Sequence, residues 1–132
     1  MPDASVAAPL AGRRILVVED EFMIAALWET ALTDAGGTVL GPFPRVAPAL
    51  SCIAEETAFD AAVLDVNLHG QSVLPVAEAL VARRVPFLFA TGYGAEGVPA
   101  AFRNRVVLTK PCRIRTLLAA VAELVASPAG SW

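Results

Sequence analysis

Five short runs of this chain are apolar at nearly every position, and helical patterns separate them. The runs occupy residues 14–18, 38–40, 61–64, 87–90 and 106–108. A strand with one wet face alternates apolar and polar residues, whereas a continuously apolar strand belongs to a parallel sheet covered on both faces. Residues 22–35 have helical spacing, with Ile24, Leu27, Ala31 and Leu32 on one face and Gly36–Gly37 as the stop. Residues 47–55 form a second helix with Leu50 and Ile53 inward, and residues 73–82 a third. Residues 94–103 are weakly helical at best, because they contain Gly94, Gly97 and Pro99. The last helix, residues 114–126, places Ile114, Leu117, Leu118, Val121 and Leu124 at helical spacing. Phe22 and Trp28 read as packing residues. With right-handed crossovers, these units predict a doubly wound α/β sheet in one domain, residues 13–126. Residues 1–12 read as a flexible leader and 127–132 as a short tail.

Composition narrows the function classes. Of 132 residues, 56% are hydrophobic and 17% charged, which excludes a disordered chain. No apolar run approaches the ~18–20 residues of a spanning helix. Thirteen acidic residues against ten basic ones leave no cationic stripe for nucleic acid. The leader lacks the basic flank and apolar centre of a signal peptide. Cys52 and Cys112 lie far apart, so neither forms a zinc half-site, and a reducing cytoplasm is the expected compartment.

In an open parallel sheet, ligands bind beyond the carboxyl ends of the strands. Glu19 and Asp20 follow the first apolar run, Asp65 the third and Thr91 the fourth; Lys110, the chain's single lysine, follows the fifth. One such residue is ordinarily a loop or cap residue, and Glu21 has that role as a helix N-terminal acid. The other five together predict a site. Three neighbouring carboxylates require a cation, and oxygen donors favour Mg²⁺ or Mn²⁺. Lys110 can neutralise a carboxylate, Thr91 can donate a hydroxyl hydrogen bond, and the set suits transfer of a phosphoryl group onto a carboxylate. Asp65, on the central strand, is the expected nucleophile.

The stretches ILVVEDE (residues 15–21), AVLDVNLHG (62–70), FATG (89–92) and LTKP (108–111) together resemble the receiver domain of bacterial two-component response regulators. The resemblance implies a flavodoxin-like sheet of order 2-1-3-4-5. It also implies an acidic pair Glu19 and Asp20, with Asp20 a direct Mg²⁺ ligand, a phospho-acceptor Asp65, and a metal-facing carbonyl on Asn67. Thr91 corresponds to the switch hydroxyl and Lys110 to the phosphate-contacting lysine, followed by a cis bond before Pro111. The implied partners are a sensor histidine kinase or phosphotransfer protein and a downstream protein. Nucleic acid, membrane and an enzymatic output beyond self-phosphorylation and autodephosphorylation are not expected. The protein is expected to be a monomer or weak dimer.

PFLFATGYG (residues 86–94) resembles the narrower "FAT GUY" receivers of bacterial stress-response phosphorelays. Val107 stands where most receivers carry an aromatic switch residue, so Tyr93 is expected to take over that role; a half-buried surface tyrosine is the plainer reading. His69 occupies the loop where a proline is common and reads as an exposed loop residue rather than a phospho-donor. Cys112 reads as a buried, inert thiol. The competing functions are a pseudo-receiver scaffold that binds protein without phosphorylation and, further off, an aspartate-nucleophile phosphatase. The phosphatase would need an acid two residues after the nucleophile, where this chain has Asn67.

Overall fold

The apolar runs become the strands of one parallel sheet. The structure is a computed structural model and describes residues 8–55, 58–92, 97–102 and 104–126. In chain order the elements are β1 (Arg14–Val18), α1 (Phe22–Asp34), β2 (Thr38–Phe43), α2 (Val46–Glu55), β3 (Ala61–Asp65), a small hairpin of β4 (Asn67–Leu68) and β5 (Gln71–Ser72), α3 (Leu74–Ala82), β6 (Phe87–Thr91), β7 (Val107–Thr109) and α4 (Ile114–Ala126). The sheet has five strands in the order β2-β1-β3-β6-β7. The hairpin stands apart from it, so β6 and β7 are its fourth and fifth strands, and the expected 2-1-3-4-5 order is observed. Among the described residues, no helix is long and apolar enough to cross a membrane.

Both faces of the sheet are covered. Leu16, Val18, Ala62, Leu64, Phe87 and Phe89 face α2 and α3, while Ile15, Val17, Ala61, Val63, Leu88 and Ala90 face α1 and α4. The period-two alternation of a strand therefore feeds two cores from one sequence run. At about 1.5–3 kcal/mol per buried large aliphatic or aromatic side chain, these rows supply the main favourable term of folding. No regular α-helix appears between β6 and β7 among the described residues. A 3₁₀ turn, Ala100–Phe102, instead sets Phe102 against Phe87, with ring centroids 5.7 Å apart. Of the stretch read as weakly helical, residues 94–96 and Arg103 lie outside the described residues.

Three expectations need correction. The buried stripe of α1 is Ala25, Trp28, Ala31 and Leu32 rather than Ile24, Leu27, Ala31 and Leu32; Leu27 is exposed and Ile24 only half-buried. Phe22 is no packing residue at all, being 84% exposed, and Met23 beside it is 81% exposed. The first turn of α1 projects past the carboxyl ends of the strands, so no sheet lies beneath it. Leu10, inside the stretch read as a flexible leader, is fully buried against α1, and its N–H donates to the Ala35 carbonyl at 2.9 Å. The core thus reaches back to Leu10, while residues 1–7 and the 127–132 tail lie outside the described residues.

β2 is also longer than its sequence run, because a bulge carries it on. The register advances from Leu16↔Leu40 to Val18↔Phe43, and Gly41 sits in the bulge with a φ of 101°. This matters for the site, since the bulge lets the Phe43 carbonyl accept the Glu19 N–H at 3.0 Å. A Cβ on Gly41 would meet the Phe43 nitrogen at 2.7 Å and the Val17 carbonyl at 2.8 Å, both backbone atoms. Gly41→Ala is therefore expected to lower stability by about 2–4 kcal/mol, read as a shifted urea midpoint. A midpoint within error of wild type would show that the bulge relaxes freely.

Candidate functional site

Parallel strands all end on the same side, so the residues after β1, β3, β6 and β7 must meet. Glu19, Asp20 and Asp65 each present a carboxylate oxygen within 4.8 Å of the others. Lys110 brings its Nζ to 2.7 Å from Glu19 Oε1 and 3.4 Å from Asp65 Oδ2. The Lys110 ammonium also lies 5.8 Å from the centroid of the Trp28 ring, which forms part of its floor. The bond between Lys110 and Pro111 is cis, as expected, and so is the Gly41–Pro42 bond, which the sequence did not signal.

Asp20, Asp65, Asn67, His69, Gly92 and Lys110 are among the walls of an open cleft of about 600 Å³, while Glu19 is buried. Thr91 is buried at the end of β6, and the cleft wall there is Gly92. The Lys110 N–H donates to the Thr91 carbonyl at 2.8 Å, tying the ends of β6 and β7 together. Tyr93 lies outside the described residues. Asn67 is exposed, and its side-chain Oδ1 accepts the Gly70 N–H at 2.8 Å, closing the turn that follows Asp65.

Glu19 is held from both oxygens. Oε2 accepts the Glu21 N–H at 3.0 Å while Oε1 faces Lys110. Glu21 does stand at the N-cap of α1, but its side chain makes no capping bond; the carboxylate of Glu19 serves its backbone instead. Lys110 and Glu19 form a nearly dry pair, with side chains 10% and 0% exposed.

Charge crowding shows in the titration of the group at the centre. Burial, with the Glu19 charge behind it, pushes the Asp65 carboxyl up to about 7, against the opposing pull of Lys110. At Asp20 burial also works upward, yet its contacts with Asp65, the His69 N–H and Glu19 outweigh it and hold that carboxyl below the usual range. Burial would likewise depress Lys110, but its contact with Glu19 and the charges of Glu19 and Asp65 raise it. Two acids shifted in opposite directions a few ångströms apart form a crowded negative pair that a cation would stabilise. The donor set is all oxygen, so the residues fit a hard divalent ion.

The sequence missed one member. The His69 N–H donates to Asp20 Oδ2 at 2.9 Å, so the loop after Asp65 anchors the acid after β1. The imidazole is 72% exposed, in keeping with an exposed loop residue, although its backbone is part of the site. His69–Gly70 following Asn67 was the available signal, a turn pair beside the expected acceptor. Cys112 is half-buried; burial raises its thiol above the ordinary range, which agrees with an inert group.

No family model matches the sequence, and no curated protein does either. Solved structures do. SdrG from Sphingomonas melonis Fr1 is 42% identical with a TM-score of 0.76, covering 90% of this chain and 99% of that one. The BeF3-activated conformation of SdrG from Pseudomonas melonis Fr1 is 44% identical with a TM-score of 0.73, covering 88% and 98%. A response regulator receiver protein from Sinorhizobium medicae WSM419 is 25% identical with a TM-score of 0.72, covering 87% and 95%.

Proposed function

Because the chain belongs to the response regulator receiver domains of two-component signalling, we propose that it accepts a phosphoryl group on Asp65 and passes the change on by protein–protein contact. The observation that carries this reading is the meeting of three carboxylates and the only lysine at the strand ends, with Asp20, Asp65 and Lys110 lining one open cleft. A BeF3-activated conformation recorded for a relative 44% identical supports an anion of phosphoryl shape as the ligand.

The oxygens of Asp20 and Asp65, with the Asn67 carbonyl, would hold a Mg²⁺ or Mn²⁺ ion. Glu19 completes the acidic set by charge, since Lys110 and the Glu21 N–H engage its two oxygens. When bound, the ion supplies the positive charge that lets the carboxylates and the incoming phosphoryl oxygens share one cleft. An Asp65 oxygen attacks phosphorus, forming the P–O bond as the P–N bond to a donor histidine breaks and the imidazole nitrogen keeps the electron pair. Lys110 turns its ammonium to the transferred oxygens, and the Thr91 hydroxyl donates to another of them. Phe22 and Met23, exposed beside the cleft, offer the donor protein an apolar foothold. Tyr93 keeps its place in this reading as the aromatic group coupling Thr91 to the following loop. The packed unit is assigned to residues 13–126 with Leu10 docked against it, in a reducing cytoplasm.

The test is incubation with acetyl phosphate and Mg²⁺ followed by intact mass and peptide mapping. A gain of one phosphoryl group on Asp65, abolished by a chelator, is the expected result. No gain with acetyl phosphate or with any phosphorylated histidine donor would leave a protein-binding scaffold as the better reading.

A further inference from the structure

Packing accounts for the burial of Trp28, but not for what stands over its ring. The residue is 2% exposed on the inner side of α1, and the Lys110 ammonium lies 5.8 Å from the centroid of its ring. Glu19 Oε1 is 2.7 Å from the same Nζ, yet it makes no hydrogen bond of good geometry. Charge, and not an aligned N–H, holds that pair. Asp65 Oδ2 is farther off, at 3.4 Å. The ammonium is thus drawn by two carboxylates from β1 and β3 and backed by an aromatic face from α1.

A lysine needs such backing more than most groups, because its four-carbon stem has wide rotamer freedom. A second, smaller cavity of about 80 Å³ borders Lys110, walled by Ile24, Leu27, Trp28, Pro111 and Cys112. An aromatic face attracts a cation through its quadrupole and does so without fixing any particular N–H. A carboxylate or carbonyl in the same place would capture one N–H and keep it, and an aliphatic side chain would offer no attraction. The attraction is strongest where water is excluded, and the Lys110 side chain is only 10% exposed.

We propose that Trp28 is a positioning residue for phosphoryl transfer: its ring face keeps the Lys110 ammonium beside the cleft while letting its N–H groups turn from Glu19 to the transferred oxygens. The role rests on the phosphoryl-acceptor reading given above. Trp28 is not among the cleft-wall residues, so its whole effect passes through Lys110.

The experiment compares the full chain with Trp28→Leu and Trp28→Phe. Both replacements shrink the side chain and lose packing, and only phenylalanine keeps a ring face. At saturating Mg²⁺, phosphorylation by acetyl phosphate is expected to slow about tenfold in Trp28→Leu and to recover to within about threefold of wild type in Trp28→Phe. Mg²⁺ affinity is expected to hold in both, because the carboxylates remain. Having one lysine, the chain gives one set of lysine Cε proton signals by NMR, read without any phosphodonor. The ring current of Trp28 is expected to move it upfield of free lysine in the wild type, and Trp28→Leu to release it. Trp28→Met, apolar and adaptable, replaces the leucine variant if that one does not fold. Equal slowing in the aliphatic and phenylalanine variants, a fall in Mg²⁺ affinity that matches the slowing, or a lysine signal unmoved by loss of the ring overturns the proposal. Uptake by the wild-type chain reports separately on the phosphoryl-acceptor reading; a wild type that no donor phosphorylates overturns that reading and this role with it.

Discussion

Asp65→Asn is expected to lose all phosphoryl uptake from acetyl phosphate while becoming more stable than the wild-type protein in the absence of metal. The two effects have one cause. Asp65 is set among Glu19 and Asp20 with Lys110 as the offsetting charge, and its carboxyl is raised to about 7. In the unfolded chain the same group titrates near 3.9. Its folded form therefore holds the proton more tightly, and the sign follows: no penalty below about pH 4, a growing loss of stability as pH rises through about 7, and a plateau above. A shift of about three pKa units corresponds to a ceiling of about 4 kcal/mol. Solvent in the open cleft screens part of it, leaving about 1–2 kcal/mol.

Asparagine keeps the shape and removes the charge, so the variant should gain that amount at pH 8 and almost nothing at pH 4. Urea unfolding at the two pH values in the presence of a chelator measures it. Adding millimolar Mg²⁺ should narrow or reverse the gap, because only the wild type keeps the full ligand set. A variant less stable than wild type at pH 8 without metal would show that the carboxylates are not in conflict.

Lys110→Met is expected to cost about 3–5 kcal/mol at pH 7, the range for removing one partner of a buried ion pair. Glu19 has no exposed side-chain surface and no other counter-charge among the described residues, so it would be left as a buried anion. The titration of Lys110 itself plays no part near neutrality. Its folded pKa is raised, so its contribution is fully present below the unfolded value of about 10.4 and fades only as pH rises through the folded one. The deficit should instead shrink as pH falls and the crowded carboxylates take up protons. Equal urea midpoints for variant and wild type at pH 7 would mean that Lys110 is not the internal counter-ion of the cluster.

The parallel sheet was legible because it depends only on local pattern. Runs such as Ala61–Asp65 and Phe87–Thr91 are buried at every residue, and only a sheet covered on both sides uses such runs. The site was legible for a related reason. Asp65 and Lys110 are far apart in the chain, but parallel strands bring their ends to one edge whatever lies between. The inward face of α1 was misread because helical spacing gives the width of an apolar stripe but not which edge of it meets the sheet. Phe22 looks like core by composition and is exposed because its turn overhangs the strand ends.

Other features depend on how separate segments fit. The bulge at Gly41 sets the register in which Phe43 receives the Glu19 N–H, and no residue type announces it. His69 is an ordinary loop residue in one dimension; in three, its N–H fastens Asp20 and its ring stands beside that carboxylate.

By itself, then, the sequence determined the sheet, its two-sided cover and the cluster of charged residues at the strand ends, because burial pattern and strand direction are properties of successive residues. Only the tertiary structure decided how those charges are shared: Glu19 on Lys110, Asp65 crowded by Glu19 so that its carboxyl is raised, and Asp20 tied to the His69 turn. Electrostatic energy depends on distances of a few ångströms and on exclusion of water, and both are set by packing between segments remote in the chain.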